Sequence, residues 1–174
     1  MPPTTVFVFN KTYTIDIMYV FVYDFLGGRK MSPIYQSSTD IRKNFSMAID
    51  KAVHDRPQFI QRTRDHAVLL GEDFLNAVLA NIKFTCNIQH EEDKTIILTN
   101  NQISDIIASG KTLDEAKSDM AEQLYDYALE YYTEFGLYSR TPNRKDHVPY
   151  VIKLLMTNDL TEIEGMLVCR NGKN

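Results

Sequence analysis

Residues 40–70 read DIRKNFSMAIDKAVHDRPQFIQRTRDHAVLL, and this stretch decides the fold of the first half of the chain. Apolar residues recur at helical spacing along its first part, at Ile41, Phe45, Ala48, Ile49 and Ala52. That spacing predicts one amphipathic helix, which ends near Asp55 because Pro57 cannot continue it. The apolar runs 59–60 and 67–70 predict two strands joined by a polar hairpin loop.

The flanking residues complete a β-α-β-β-α order for residues 31–80. Ser32 precedes a proline, which favours an extended start, and residues 37–39 offer hydroxyl N-caps for the first helix. After Gly71, the acidic pair at 72–73 suits the N-terminus of a second helix. That helix carries an apolar face over residues 74–79.

The composition narrows the class of protein. The chain has 174 residues, of which 44% are hydrophobic and 24% charged, so it can bury a core. Its net charge of −4 excludes a generally basic nucleic-acid coat. The scarce glycines exclude a glycine-rich phosphate loop, and the histidines share no ligand spacing, so we expect no cofactor and no metal. Cys86 and Cys169 are expected to be idle thiols in a reducing compartment.

Positive charge concentrates in the first half. Residues 31–71 hold six Lys and Arg against four Asp and Glu, a net +2 within an acidic chain. Arg42 and Lys43 fall near the first turn of the predicted helix, where they oppose the macrodipole by up to about 1 kcal/mol. A position that breaks a local rule is often functional, and phosphate contact is one such use. Arg62 and Arg64 on the hairpin would add to the same patch, although a solvated charged face is the simpler alternative.

Four short runs carry a family resemblance, namely IRKNFS at 41–46, KAV at 51–53, PQFIQR at 57–62 and AVLL at 67–70. Together they resemble the N-terminal domain of Phd/YefM antitoxins. The resemblance implies a domain that dimerises through its sheet and places its first helix and hairpin on operator DNA.

By this resemblance, Arg42 and Arg62 are the best-placed DNA contacts, and Lys43, Asn44 and Arg64 are further candidates. Arginines on phosphates give salt-dependent affinity, and Asn44 or an arginine can read a base edge in the major groove. A symmetric dimer would require a palindromic operator. The chain departs from the family in its hairpin loop, which has no glycine, so the turn type is open.

Residues 81–174 are acidic, with ten Lys and Arg against fifteen Asp and Glu. Apolar residues at 82–88, 95–99 and 103–108 predict three strands, the last of which ends before Ser109 and Gly110.

A long helix is predicted after these strands. Thr112 and Glu115 form a capping box, and an apolar stripe then runs to Phe135, with Gly136 as the C-cap. Two short elements follow near 150–156 and 160–168. The neighbouring tyrosines are expected to be mainly core or helix surface, and some of them could form a docking face.

This strand-strand-strand-helix order, with GKTLDEA at 110–116, resembles HicB-type antitoxin domains, which have a degraded ribonuclease H-like fold. The proline-rich segment of that family is missing at 100–105. The expected fold class is therefore α+β, a Phd/YefM-like module at 31–80 followed by a small HicB-like α/β unit at 81–174.

Residues 1–30 differ in character from the rest. They could form an N-terminal strand pair, or they could be an upstream region translated from a wrong start. We favour the second interpretation, because Gly27-Gly28-Arg29-Lys30-Met31 can be encoded by a bacterial ribosome-binding site before a start codon.

The leading hypothesis is an antitoxin of a type II toxin–antitoxin system. It would act in the cytoplasm as a homodimer, bind operator DNA, and neutralise a RelE-like ribonuclease toxin through its acidic second unit. No membrane partner is expected. A stand-alone transcriptional regulator of the same fold is the alternative.

A ribonuclease H-like nuclease is disfavoured, and we expect no catalytic residues. Two-metal catalysis needs converging carboxylates. Asp93, Asp105 and Asp114 instead fall in predicted turns or at a helix start, and Glu115 has a capping role.

Overall fold

A computed structural model describes residues 34–171 of the chain. The interpretation of residues 1–30 as a wrong start lies outside these residues. Within the described part the fold is α+β, with two sheets and seven helices, and this fold class was predicted from the sequence.

The first half contains a three-stranded sheet and three helices. Its elements are β1 (Tyr35–Ser37), α1 (Ser38–Lys43), α2 (Phe45–His54), β2 (Gln58–Arg62), β3 (Asp65–Leu69) and α3 (Glu72–Val78). The sheet order is β1-β2-β3, and β2 and β3 form the predicted antiparallel hairpin. The order of elements matches the predicted β-α-β-β-α order except that two helices, α1 and α2, stand where one was predicted.

The prediction of a single helix between residues 40 and 55 is wrong, because the chain forms two helices that meet at Asn44. Asn44 has a non-helical backbone, with φ −127° and ψ 42°. Its backbone N–H donates to the carbonyl oxygens of Asp40 and Ile41 and closes α1. Asparagine suits this position since its side chain, which donates to Asp40 O at 3.4 Å, competes with regular helical hydrogen bonding.

The break also changes which residues form the core of this half. Ala48 and Ala52 are the buried residues of α2, which packs against β2. Phe45 and Ile49, which the sequence assigned to the buried stripe, are exposed, and Phe45 keeps 58% of its surface in solvent. An apolar stripe thus lies on the outside of this helix.

Gly71 allows the chain after β3 to pass close to α2. Its N–H donates to the carbonyl of Ala52 at 2.8 Å, and a Cβ atom at this position would lie 2.9 Å from the Cα of Val53. A side chain at residue 71 would therefore push the two segments apart.

The second half is a four-stranded sheet with helices packed against it. Its elements are β4 (Phe84–His90), β5 (Ile96–Asn100), β6 (Ile107–Gly110), α4 (Leu113–Thr133), α5 (Phe135–Tyr138), α6 (Val148–Leu155), α7 (Leu160–Met166) and β7 (Leu167–Asn171), with a short 3-10 turn at Lys145–His147. The strand order is β6-β5-β4-β7. Antiparallel pairs join β4 to β5 and β5 to β6, whereas β7 runs parallel to β4.

The third strand lies later in the chain than predicted. Ile103 is buried in a turn, and β6 starts at Ile107 and includes Ser109 and Gly110. The turn forms because the Oδ1 atom of buried Asn100 accepts backbone N–H groups of Gln102 at 3.0 Å and Ile103 at 2.8 Å. These hydrogen bonds remove residues 101–105 from the sheet.

Helix α4 forms the centre of the second core and is capped as predicted. The Thr112 hydroxyl accepts the Glu115 N–H at 3.1 Å, and the Glu115 carboxylate accepts the Lys111 N–H at 2.8 Å. A Cβ at Gly110 would collide with the backbone nitrogen of Ala116, so glycine is required where β6 meets α4. The buried residues of this helix are Ala116, Met120, Ala121, Leu124, Ala128 and Tyr131.

The end of α4 and the last elements differ from the prediction. Glu134, not Gly136, is the C-cap, and Gly136 lies inside the short helix α5. The segment predicted as one element at 160–168 is a helix followed directly by β7. That last strand places Cys169 opposite Cys86 in the sheet, and both are free thiols.

Candidate functional site

The predicted DNA-contacting residues of the first helix lie at the end of α1. Arg42 and Lys43 occupy its last turn, and both are exposed. The argument that they oppose the helix macrodipole is therefore wrong, since positive charge at a helix C-terminus is favourable. Their exposure leaves both side chains accessible to a partner.

Asn44 occupies the junction between α1 and α2 and is also exposed. The non-helical backbone of Asn44 follows directly after the two cations, so residues 42–44 form one continuous exposed segment. The sequence analysis instead placed Arg42 and Lys43 near the first turn of one continuous helix.

The other two predicted contacts lie at the tip of the β2–β3 hairpin. Arg62 ends β2 and pairs with Asp65, and Arg64 lies in the two-residue loop between them. Thr63 takes a left-handed backbone with φ 53°, a conformation that glycine adopts more readily. The missing glycine is therefore replaced by a strained threonine, at a cost of about 1–2 kcal/mol.

Packing links the hairpin to the first helix. Side chains alternate along a strand, so Arg62 shares a face of β2 with Gln58 and Ile60. Gln58 is buried, accepts from the Gln36 side chain at 2.8 Å and donates to the Arg56 carbonyl at 2.6 Å. Since α1 also packs against β2, the helix end and the hairpin belong to one packed unit.

The four cations among these residues form no ion pairs in the described part of the chain, whereas exposed Arg56 lies 3.8 Å from Asp55. Nothing in the described part competes for their charges.

A cation–aromatic cluster, which the sequence did not reveal, fixes the segment after α5. The Arg144 guanidinium lies 4.2 Å from the ring centre of Tyr138, and the Arg144 carbonyl accepts the Tyr131 hydroxyl at 2.9 Å. The Tyr127 hydroxyl lies 2.7 Å from Nδ1 of His147. Burial raises the pKa of Tyr127 to about 12 and lowers the pKa of His147. The i, i+4 spacing of Tyr127 and Tyr131 was the available signal, but it cannot show which loop they meet.

The carboxylates that were considered for catalysis have separate structural roles. The carboxylate of Asp93 accepts the Thr95 N–H in the β4–β5 turn, and Asp114 belongs to the first turn of α4. Across residues 34–171 no group of three or more His, Cys, Asp and Glu side chains is placed to hold a metal ion. In the same range, no helix combines the length and apolarity needed to cross a membrane.

Comparison with known proteins assigns this fold. Residues 34–169 match a family described as PHD_like, an antitoxin of RelE/RelB toxin–antitoxin systems. A crystal structure from Syntrophomonas wolfei subsp. wolfei, described as the antitoxin part of a proposed toxin/antitoxin system, is similar with 33% identity and a TM-score of 0.75. The similarity covers 79% of this chain and 99% of that one. Among curated proteins, none matches the chain. The family match spans both sheets, and the chain therefore belongs to the PHD-like antitoxins of RelE/RelB toxin–antitoxin systems.

Proposed function

We propose that this antitoxin acts in the cytoplasm as a homodimer with two functions. The Phd/YefM-like module, residues 31–80, binds the operator of its own operon. The acidic, HicB-like unit, residues 81–174, binds and neutralises a RelE-like ribonuclease toxin. Neither function involves chemistry by this chain.

The observation that carries the DNA-binding proposal is the set of exposed polar side chains at the α1–α2 junction and the hairpin tip. Its members are Arg42, Lys43, Asn44, Arg62 and Arg64. Four cations in one packed unit suit the phosphate backbone, which dominates affinity for DNA. Asn44 adds a donor and an acceptor that can recognise a base edge.

Exposed apolar groups on the sheet support the homodimer. Val68 keeps half of its surface in solvent and lies opposite Phe59 on the face of the hairpin away from buried Gln58. Burying such a face against a second copy stabilises the pair by about 25 cal/mol for each Å² of apolar surface. A twofold pair would present its cations twice and would match a palindromic site.

Operator binding can be tested with Arg42→Ala and Arg62→Ala, measured by fluorescence anisotropy on the promoter of the gene at several salt concentrations. Each change should weaken binding and reduce the slope of log affinity against log salt by about 1, because one phosphate contact is lost. Arg56→Ala is the matched control, since it removes an exposed arginine of the same module that lies outside the proposed surface. Equal effects from all three variants would refute the assignment of the surface.

Toxin neutralisation can be tested with any small basic protein that is encoded beside the gene. Opposite charge should speed association with the acidic second half. Co-purification and rescue of growth would support the proposal. An operator-binding protein without such a neighbour would instead be a stand-alone regulator.

A further inference from the structure

An exposed apolar patch lies where α4 passes into α5. Its members, Leu129, Tyr132 and Leu137, expose 44%, 66% and 62% of their surfaces. The Tyr132 ring packs edge-on against Phe135, with ring centres 6.5 Å apart. This α4–α5 patch is unusual because the buried apolar residues of α4 lie in the core that the helix forms with the sheet, α6 and α7.

Carboxylates at four-residue intervals form a row along α4 on the Leu129 side of the patch, since Leu129 lies three residues after Asp126. Glu122, Asp126, Glu130 and Glu134 are all exposed, and they follow one another along the outer side of α4 and its C-cap. Between residues 113 and 134 there are seven Asp and Glu and one lysine. The patch therefore has a strongly negative border.

This border is unfavourable to the isolated helix. Like charges four residues apart destabilise a helix by about 0.2–0.5 kcal/mol for each pair. The last turn of α4 has no basic residue, and negative charge there also opposes the macrodipole. Both effects would be reversed by a cationic partner, which gives the arrangement a physical reason.

The patch is also held in a fixed position. The Tyr138 hydroxyl of α5 donates to the Glu130 carboxylate at 2.7 Å, and its ring packs edge-on against buried Tyr131, with centres 5.3 Å apart. Arg144 covers the same Tyr138 ring. These contacts attach α5 to α4, so little conformational entropy is lost when the patch is covered.

We propose that the α4–α5 patch is the docking surface for the toxin, through a basic face of the toxin with an apolar centre. The proposal rests on the proposed function, since it names the surface that binds the same partner. Tyr132 is the expected anchor, because exposed tyrosines in pre-organised positions often dominate binding energy. A second copy of this chain fits less well, since a twofold contact would bring two negative borders together.

The test measures binding of the toxin encoded beside this gene to the full chain by surface plasmon resonance. Tyr132→Ser should weaken binding and raise the dissociation constant by about thirtyfold or more. The double change Glu122→Lys and Asp126→Lys should slow association and remove most of its salt dependence. The matched controls are Ile107→Ser, an exposed apolar residue of β6, and Glu92→Lys in the β4–β5 turn, and both should bind like wild type.

Operator affinity and circular dichroism report whether each variant remains folded. If wild type binds the toxin and the patch variants bind equally well, the docking surface is wrong while the proposed function stands. If wild type neither binds nor neutralises the toxin, the proposed function fails and the docking surface with it. A change in dimerisation without a change in toxin binding would assign the patch to self-association and overturn the proposal.

Discussion

Replacing Asn100 with alanine tests the turn that ends β5. The side chain is fully buried, and its Oδ1 atom accepts the backbone N–H groups of Gln102 and Ile103. Alanine removes this acceptor but leaves both donors in place. The variant therefore keeps the polar groups that need a partner and loses the atom that satisfied them.

The magnitude follows from the burial of the two donors. Each buried donor without a partner destabilises a protein by about 1–3 kcal/mol. The Ile103 N–H is buried and should contribute fully, whereas the hydrogen bond to Gln102 is only part-buried. We expect Asn100→Ala to lower the free energy of unfolding by about 2–4 kcal/mol.

Urea unfolding followed by circular dichroism measures this change. Asn101→Ala is the control, since its exposed side chain accepts from Asn87 at 2.6 Å and donates to Thr85 at 3.1 Å. Water can replace both hydrogen bonds, so the control should lose less than about 1 kcal/mol. The reasoning is refuted if Asn100→Ala unfolds at the same urea concentration as wild type or as the control.

Three further predictions concern other positions. Gly110→Ala should destabilise the protein by about 2 kcal/mol or more, because the new Cβ meets backbone atoms. Gly165→Ala is the control at an open position and should be neutral or stabilising by up to about 1 kcal/mol. Equal midpoints of urea unfolding for the two variants would contradict this prediction. Burial raises the pKa of the Cys86 thiol to about 12. Iodoacetamide at neutral pH should therefore alkylate Cys169 in the native protein and Cys86 only after denaturation, and mass spectrometry measures both products. Burial lowers the pKa of His147 below 6.5, so its stabilising contribution is present above pH 6.5 and is lost as the pH falls through the folded pKa. His147→Asn should flatten the acid side of the stability curve, and an unchanged curve would show that another group titrates.

The elements that could be predicted from the sequence are those specified by residues close together in the chain. The hairpin was predictable because two apolar runs flank polar residues, and the start of α4 was predictable because the capping box lies within four residues. The pairing of β4 with β7 was not, since it joins residues 83 positions apart, as in Phe84 with Leu167. Nothing local in either strand specifies that partner.

The candidate site shows how a small boundary error changes an argument. The five residues were identified by positive charge and by the family resemblance, and their contact with DNA remains a prediction. The supporting electrostatic argument failed because Asn44 ends α1 early, which moves Arg42 and Lys43 from the start of a helix to its end. The non-helical backbone of one asparagine therefore decided the sign of that effect.

Strand β7 is the last strand of the sheet to be synthesised, and this order affects the nascent chain. While a nascent chain lacks residues 167–171, the strand that β7 later covers is an open edge with backbone donors and acceptors available to other chains. Premature termination shortly before this segment would therefore yield a product prone to intermolecular strand pairing, although nearly all of the core residues had already been made.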